Sequence, residues 1–431
     1  MKRLLVLLAL LLSFTASSQH LISTITDIWE LSLSHAADCN IYTQKMVQAQ
    51  QEVLQSKSSL YPNIGFRLNG QVNFDLPETP VPGELFGKPN ETIPLAFGKK
   101  FQYSGGFTVS KKLVDWQTHF QIKIAALNKE LLLAEQTFFI QTLKEELAVV
   151  YYLALTSKLC AKSLQTDAML SDTILQITND RYNQGLVDES ILNQAIIKRN
   201  QVLQQQQRMN QQLYQTIQQL KILIGLGKPD SIDLIENLER EEPGDAMFLK
   251  PNLSYIKLYE VQHKLTSLEL KRSFGNYLPK LELYSFCGYR QYQDKFSFSV
   301  NSDQMQPENY LGISLSVPVF TGFSSTARYY SAIIGHTIAK LYLDDAERKA
   351  SLQDETFAYD LILTNKMLVT VKQSFTLSLK NLQLAKEKYN IGLIDLEAYI
   401  KVFDLHLEIE NQYFEAISNH LILKAKALAR E

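Results

Sequence analysis

The stretch Arg181-Tyr182-Asn183-Gln184-Gly185-Leu186-Val187-Asp188 is written a second time as Lys388-Tyr389-Asn390-Ile391-Gly392-Leu393-Ile394-Asp395. Each copy stands between long, proline-free stretches with helical patterning. A lone glycine between two such patterns marks a sharp reversal, because only glycine enters the left-handed backbone region without steric cost. Each phrase is therefore expected to form the tip of a long helical hairpin. Two such hairpins in one chain argue for an internal two-fold repeat.

The flanks support this reading. From Trp116 to Arg181 there is neither glycine nor proline, and from Phe323 to Tyr389 only Gly335. At 1.5 Å per residue the first run would make a helix of roughly 100 Å. Such lengths exceed those of ordinary globular helices and read as coiled coil or helical tube. In the glutamine-rich stretch Gln201–Gln219, Val202, Met209, Leu213 and Ile217 have the spacing of an ordered helix with one wet face.

Working outward, both halves follow one order: a helix, two strands around a loop, a very long helix, the glycine phrase and a returning helix. The opening helices are expected at Thr26–Lys57 and Leu253–Phe274, each followed by a proline, Pro62 and Pro279. In the first strand Ile64, Phe66, Leu68, Gly70, Val72 and Phe74 alternate with Gly65, Arg67, Asn69, Gln71 and Asn73. One face is apolar and the other polar, over about the length that crosses a bilayer as a tilted strand. Phe101, Tyr103, Phe107 and Val109 alternate with Gln102, Ser104, Thr108 and Ser110 in the second strand. A third sets Leu283, Ser285, Cys287 and Tyr289 against Glu282, Tyr284, Phe286 and Arg290. The fourth sets Leu311, Ile313, Leu315, Val317 and Val319 against Gly312, Ser314, Ser316 and Pro318. A half-buried soluble sheet gives the same alternation, but here no amphipathic helix pattern is left over to cover the apolar face. Residues 75–100, with Pro77, Pro80, Pro82, Pro89 and Pro94, and the shorter Asp294–Asn309 read as exposed loops.

Four strands cannot close a barrel, and an open sheet edge cannot sit in lipid with its backbone groups unpaired. If these strands cross a membrane, several chains must share one barrel: two chains would supply eight strands, a width that side chains largely fill, and three would supply twelve and an aqueous lumen. At the N-terminus, Met1-Lys2-Arg3, the apolar run Leu4–Leu12 and the small residues up to Ser18 have the form of a secretory signal peptide. No cysteine lies near a cut after Ser18, so a lipoprotein is not expected, and Cys39, Cys160 and Cys287 are too scattered for a disulfide framework. Past the leader the longest apolar run is Leu147–Leu155, too short for a spanning helix. The net charge of −2 is spread over mixed acids and bases, which leaves no nucleic-acid footprint. The segments are thus a signal peptide at 1–18, a first repeat at 19–230, a connecting segment at 231–250 and a second repeat at 251–431.

The chain resembles the TolC family of outer-membrane efflux proteins over essentially its whole mature length. The resemblance rests on the duplicated Tyr-x-x-Gly-Leu phrases, on Ser316-Val317-Pro318-Val319-Phe320-Thr321-Gly322 at a strand-to-helix junction, and on Pro62 and Pro279. It implies a mixed α and β membrane protein: a homotrimer with a twelve-stranded outer-membrane β-barrel continued by a periplasmic α-helical barrel. It also implies an exit duct, not an enzyme, surrounded by outer-membrane lipid. Its partners would be a periplasmic adaptor protein and an inner-membrane transporter of the RND, ABC or MFS type. The tip residues Gly185, Leu186, Val187, Gly392, Leu393 and Ile394 become adaptor-docking residues. Tyr182, Tyr389, Asp395 and Glu397 become candidates for the pore entrance, although the two tyrosines could equally pack between helices. The chain departs from the family in two places. Lys111-Lys112 stands where the second half has Val317-Pro318. The acids that the family carries six and nine positions after the second tip glycine are replaced by Ala398 and Lys401. The rival reading is a non-transporting structural coiled-coil protein of the cell envelope.

No catalytic constellation is visible, and no cofactor is expected. His406 and Glu410 share a helix face at i,i+4, which could be half a metal site but is more commonly a solvated pair. Gly225-Leu226-Gly227-Lys228 follows a helix instead of opening one, so it reads as a helix stop and not a phosphate loop.

Overall fold

The computed structural model describes residues 19–76, 78–96, 98–236, 250–297 and 305–430. The expected signal peptide, Pro77, most of the connecting segment and part of the Asp294–Asn309 loop lie outside the described residues. In chain order the first half contains β1 (Gln19–Ile22), α1 (Ile25–His35), α2 (Ala37–Ser58), β2 (Asn63–Val72), β3 (Glu78–Pro82), β4 (Thr92–Ala96), β5 (Phe101–Val114), α3 (Trp116–Asn183) and α4 (Glu189–Ile224). After β6 (Ser231–Leu234) the second half contains α5 (Leu253–Phe274), β7 (Lys280–Gln293), β8 (Met305–Ser316), α6 (Ser324–Asn390) and α7 (Leu396–Leu428). The two long helices have 68 and 67 residues and end at the two glycine phrases, where the sequence puts them.

The chain forms two compact units, and each draws on both halves of the sequence. One unit, made of 46–132 and 260–342, contains an antiparallel sheet in the order β2-β5-β7-β8. Its register brings the four alternations into phase. Ile64, Val109, Ser285 and Leu311 form one row across the sheet, and Phe66, Phe107, Cys287 and Asn309 form the next. Leu283 pairs with Ile313 and Leu281 with Leu315 on the same face. The opposite face carries Arg67, Asn69, Thr108, Arg290 and Ser314. On the apolar face Ile64, Phe66, Leu68, Leu311, Ile313 and Leu315 are all exposed, Phe66 at 66%. Both edges, β2 and β8, lack a partner strand among the described residues. A short hairpin of β3 and β4 fills part of the 75–100 loop, where the prolines alone suggest irregular chain.

The other unit, made of Met1–Lys45, Leu133–Tyr259 and Leu343–Glu431, is mostly helical among the described residues, with the parallel pair β1–β6 beside the helices. Leu147, Tyr151 and Leu155 of α3 are fully buried here against Ile28 and Trp29 of α1, Leu220 and Ile224 of α4, and Leu421 of α7. The Trp29 indole N–H donates to the Lys144 carbonyl at 3.0 Å. By length and composition α3 could cross a membrane, but 61% of its most apolar stretch is core. That core is what the Leu147–Leu155 run serves.

Two expectations need correction. The first helix is not continuous over Thr26–Lys57: Ala36 is extended (φ −61°, ψ 126°) and separates α1 from α2. The cause is tertiary, since Gly225 approaches so closely that a Cβ there would lie 2.7 Å from the His35 carbonyl oxygen. The last strand stops at Ser316 and does not run on to Val319. Pro318 lacks the N–H a ladder needs, and the chain turns instead through Gly322 (φ 60°) and Phe323 (φ 64°) into α6. At the first junction, which has no proline, Asp115 ends the strand. It accepts hydrogen bonds from the Gln117 backbone and the Thr118 hydroxyl and an ion pair from Lys112 at 3.0 Å.

Candidate functional site: the two hairpin tips

Both tips have the same hydrogen-bonding pattern. Gly185 and Gly392 each have φ 75°. The Leu186 N–H donates to the Arg181 carbonyl at 2.9 Å, and the Gly185 N–H to Tyr182 at 2.9 Å. In the second tip Leu393 donates to Lys388 at 2.9 Å and Gly392 to Tyr389 at 3.0 Å. This is the Schellman closure, which uses the last carbonyls of a helix and needs a residue with positive φ. The eighth residue of each phrase then starts the returning helix. The Asp188 carboxylate accepts from the Ile191 N–H at 3.0 Å, and that of Asp395 from Ala398 at 2.8 Å. Both aspartates are N-caps.

In a Schellman closure the residue after the glycine commonly packs back onto the helix. Gly225 closes α4 in the same way, and there Leu226 is packed against the core. At the tips it is not so. Leu186 is 69% and Leu393 70% exposed, with Ile391 exposed beside the second. The helix positions they would cover are Arg181 and Lys388, which offer no apolar partner. These leucines stay clear of the core although their backbone geometry matches that of Leu226, which is partly buried against it.

The other candidates separate. Val187 is half-buried, and Ile394 packs against the core below the tip, so the second apolar residue of each phrase does not share the leucines' exposure. Tyr182 is exposed, whereas Tyr389 is 1% exposed and packs between helices. Its ring centroid lies 5.6 Å from that of Tyr399, and its hydroxyl is 2.8 Å from Thr178 Oγ1. Asp395 is held by its capping bond. Glu397 is exposed and pairs at 3.1 Å with Lys401, one of the residues standing where the family has acids.

Two arrangements carry little or no mark in the sequence. Arg181, the first residue of the first phrase, reaches the second tip: Nη2 donates to the Tyr389 carbonyl at 2.6 Å, and the guanidinium lies 4.5 Å from the centre of the Tyr389 ring. The one signal is that the second copy has Lys388 in the equivalent place, and lysine lacks arginine's planar fork. The second arrangement is a buried acid pair. Asp167 of α3 and Glu410 of α7 are 5% and 3% exposed and neighbour one another, and Asp167 Oδ2 has no hydrogen-bond partner among the described residues. The Ser163 hydroxyl donates to Glu410. Burial, and then the neighbouring Glu410, pushes the Asp167 carboxyl up to about 7. Burial also raises Glu410, against the hydrogen bond from Ser163. Glu410 and His406 are therefore not the solvated pair expected: His406 is buried, 3.1 Å from Ser378 Oγ and stacked on Phe375, and burial lowers its imidazole. Among the described residues no group of three or more His, Cys, Asp or Glu side chains could hold a metal ion.

No protein-family model matches the chain. The chain is similar to the outer membrane protein TolC of Escherichia coli K12, with 22% identity over 267 residues, covering 58% of this chain and 54% of TolC. The match thus spans about half the length of that relative. Among solved structures, the CmeC outer membrane channel of Campylobacter jejuni superposes with a TM-score of 0.76 at 14% identity, covering 94% of this chain and 85% of CmeC. The fold is TolC-like. VceC, an outer membrane protein of Vibrio cholerae, gives the same TM-score of 0.76 at 14% identity over 94% of this chain and 95% of its own. At such low identity these likenesses establish the fold of the TolC-like chain, and the reading of its tips rests on the geometry above.

Proposed function

We propose that this TolC-like chain is the outer-membrane exit duct of an efflux or type I secretion system. It sits in the outer membrane of a Gram-negative bacterium and extends into the periplasm. The observation that carries the reading is the sheet. Its four apolar alternations fall on one exposed face, in phase, and both its edges are open among the described residues. In lipid that face is a favourable exterior, while the open edges must find partners. Three copies joined edge to edge make twelve strands with Arg67, Asn69, Thr108 and Ser314 around a wet lumen. The exposed Leu186 and Leu393 dock the hairpins of a periplasmic adaptor, which couples the duct to an inner-membrane transporter.

Outer-membrane fractions run on a gel without heating test the assembly. A band of three chains that collapses to one on boiling supports the duct. A monomer in the soluble periplasmic fraction would overturn it and leave the structural coiled-coil reading.

A further inference from the structure

The polar face of the sheet holds unequal charge. Arg290 is neutralised by an ion pair with Glu308 and Lys112 by one with Asp115. Lys280 and Glu282 share the face near its helix-proximal end, where Glu282 stands opposite Lys112 in the register. Arg67 is different. It is exposed, and among the described residues no carboxylate pairs with it. Its row runs Arg67, Gly106, Gly288, Glu308. The two glycines are forced by close approach: a Cβ on Gly106 would lie 2.5 Å from the Cys287 carbonyl oxygen, and one on Gly288 2.3 Å from that of Gly105. The Phe286 ring covers Gly106 between Arg67 and Glu308, its Cζ 2.8 Å from where a Gly106 Cβ would stand, and Glu308 is already taken by Arg290. A guanidinium cannot lose its charge at any physiological pH.

We propose that Arg67 makes the β-barrel section of this conduit prefer anionic solutes, through a ring of one guanidinium from each chain. The inference rests on the duct reading, because the ring exists only if the polar face lines a lumen. Rings of arginine or lysine select anions as carboxylate rings select cations. Asn69 lies two residues along the same face, about 7 Å away at the rise of a strand, which is inside the ~8 Å Debye length at physiological salt. One charge at that distance changes local ion concentration by about a factor of two for each sign.

The test measures rates of thiol modification in the purified assembly, reconstituted in phosphatidylcholine vesicles. A Cys287→Ser background removes the exposed native thiol, while Cys39 and Cys160 are buried. Asn69→Cys is then modified by an anionic or a cationic methanethiosulfonate. The ratio of the two rates cancels the thiolate fraction, which both reagents share. The anionic reagent should react faster, and Arg67→Gln should lower the anionic-to-cationic ratio at least about threefold. Glu308→Gln, which frees Arg290, should raise it. An unchanged ratio in Arg67→Gln, or a cationic preference with Arg67 present, overturns the proposal even if the barrel is real. If neither reagent reaches Asn69→Cys while both label Phe66→Cys, the polar face is not a lumen, and the duct reading falls together with the ring.

Discussion

Replacing Asp167 by asparagine should flatten the dependence of stability on pH. In the unfolded chain an aspartate titrates near 3.9; between α3 and α7, burial and then Glu410 hold Asp167 at about 7. The folded chain therefore grips this proton more tightly than the unfolded chain. That contribution is complete below about pH 4 and is lost as the pH rises through 7. At 1.36 kcal/mol per unit, the gap between ~3.9 and about 7 amounts to on the order of 4 kcal/mol. Lys198 opposes the effect only weakly, because it is paired with Asp404. The amide introduced by Asp167→Asn still stands beside Glu410 but cannot ionise. Thermal melting of the detergent-solubilised protein, followed by circular dichroism of the helices from pH 5 to 8, checks this. The wild-type midpoint should fall by several degrees across that range, and the variant's by less than half as much. Parallel curves for the two proteins would mean that Asp167 stays ionised in the folded chain and that the buried pair holds no proton at neutral pH.

Three further outcomes follow from the geometry. Phe66→Lys, on the apolar face, should cost ~2–4 kcal/mol in a denaturant titration of the vesicle-inserted protein, and Asn69→Lys much less; equal costs would undo the assignment of faces. Leu186→Ser combined with Leu393→Ser should stop export yet leave assembly and melting temperature unchanged, since exposed positions rarely shift stability beyond about ±0.5 kcal/mol; full export in that variant would remove the docking role. Asp188→Ala and Asp395→Ala should each destabilise by about 1 kcal/mol as lost N-caps, while Glu397→Ala, in an exposed ion pair, should change melting little; the reverse order would show that the capping bonds do not form.

Long, uninterrupted elements were the legible part. The two glycine phrases place the hairpin tips, and the absence of glycine and proline runs α3 to its end at Asn183. Strand faces were legible because alternation with a period of two is a strong signal, and the register then put every alternation in phase. Features set by neighbours from distant sequence were not. The break at Ala36 comes from Gly225, and the parallel pair β1–β6 joins two four-residue segments too short to show a period. At the tips, the repeated phrase marks where the chain reverses but not which of its side chains are buried. Nothing in the type of Asp395 reveals that its carboxylate accepts the capping bond from Ala398. Asp167 and Glu410 carried no signal, since charged residues on long helices are usually solvated.

That each compact unit draws on both halves of the chain bears on biosynthesis. Strand β5 pairs with β7, for example Phe107 with Cys287, and β1 with β6, so neither of these two sheets can be finished by an early segment. Ile28 and Trp29 share their core with Leu421 near the far end of α7. A chain emerging N-terminus first must keep these apolar surfaces uncovered until its last helix is delivered, and long-range closure of this kind is slow. A truncation anywhere in α7 should act as a defect of delivery, leaving the core around Ile28 and Trp29 without its last helix.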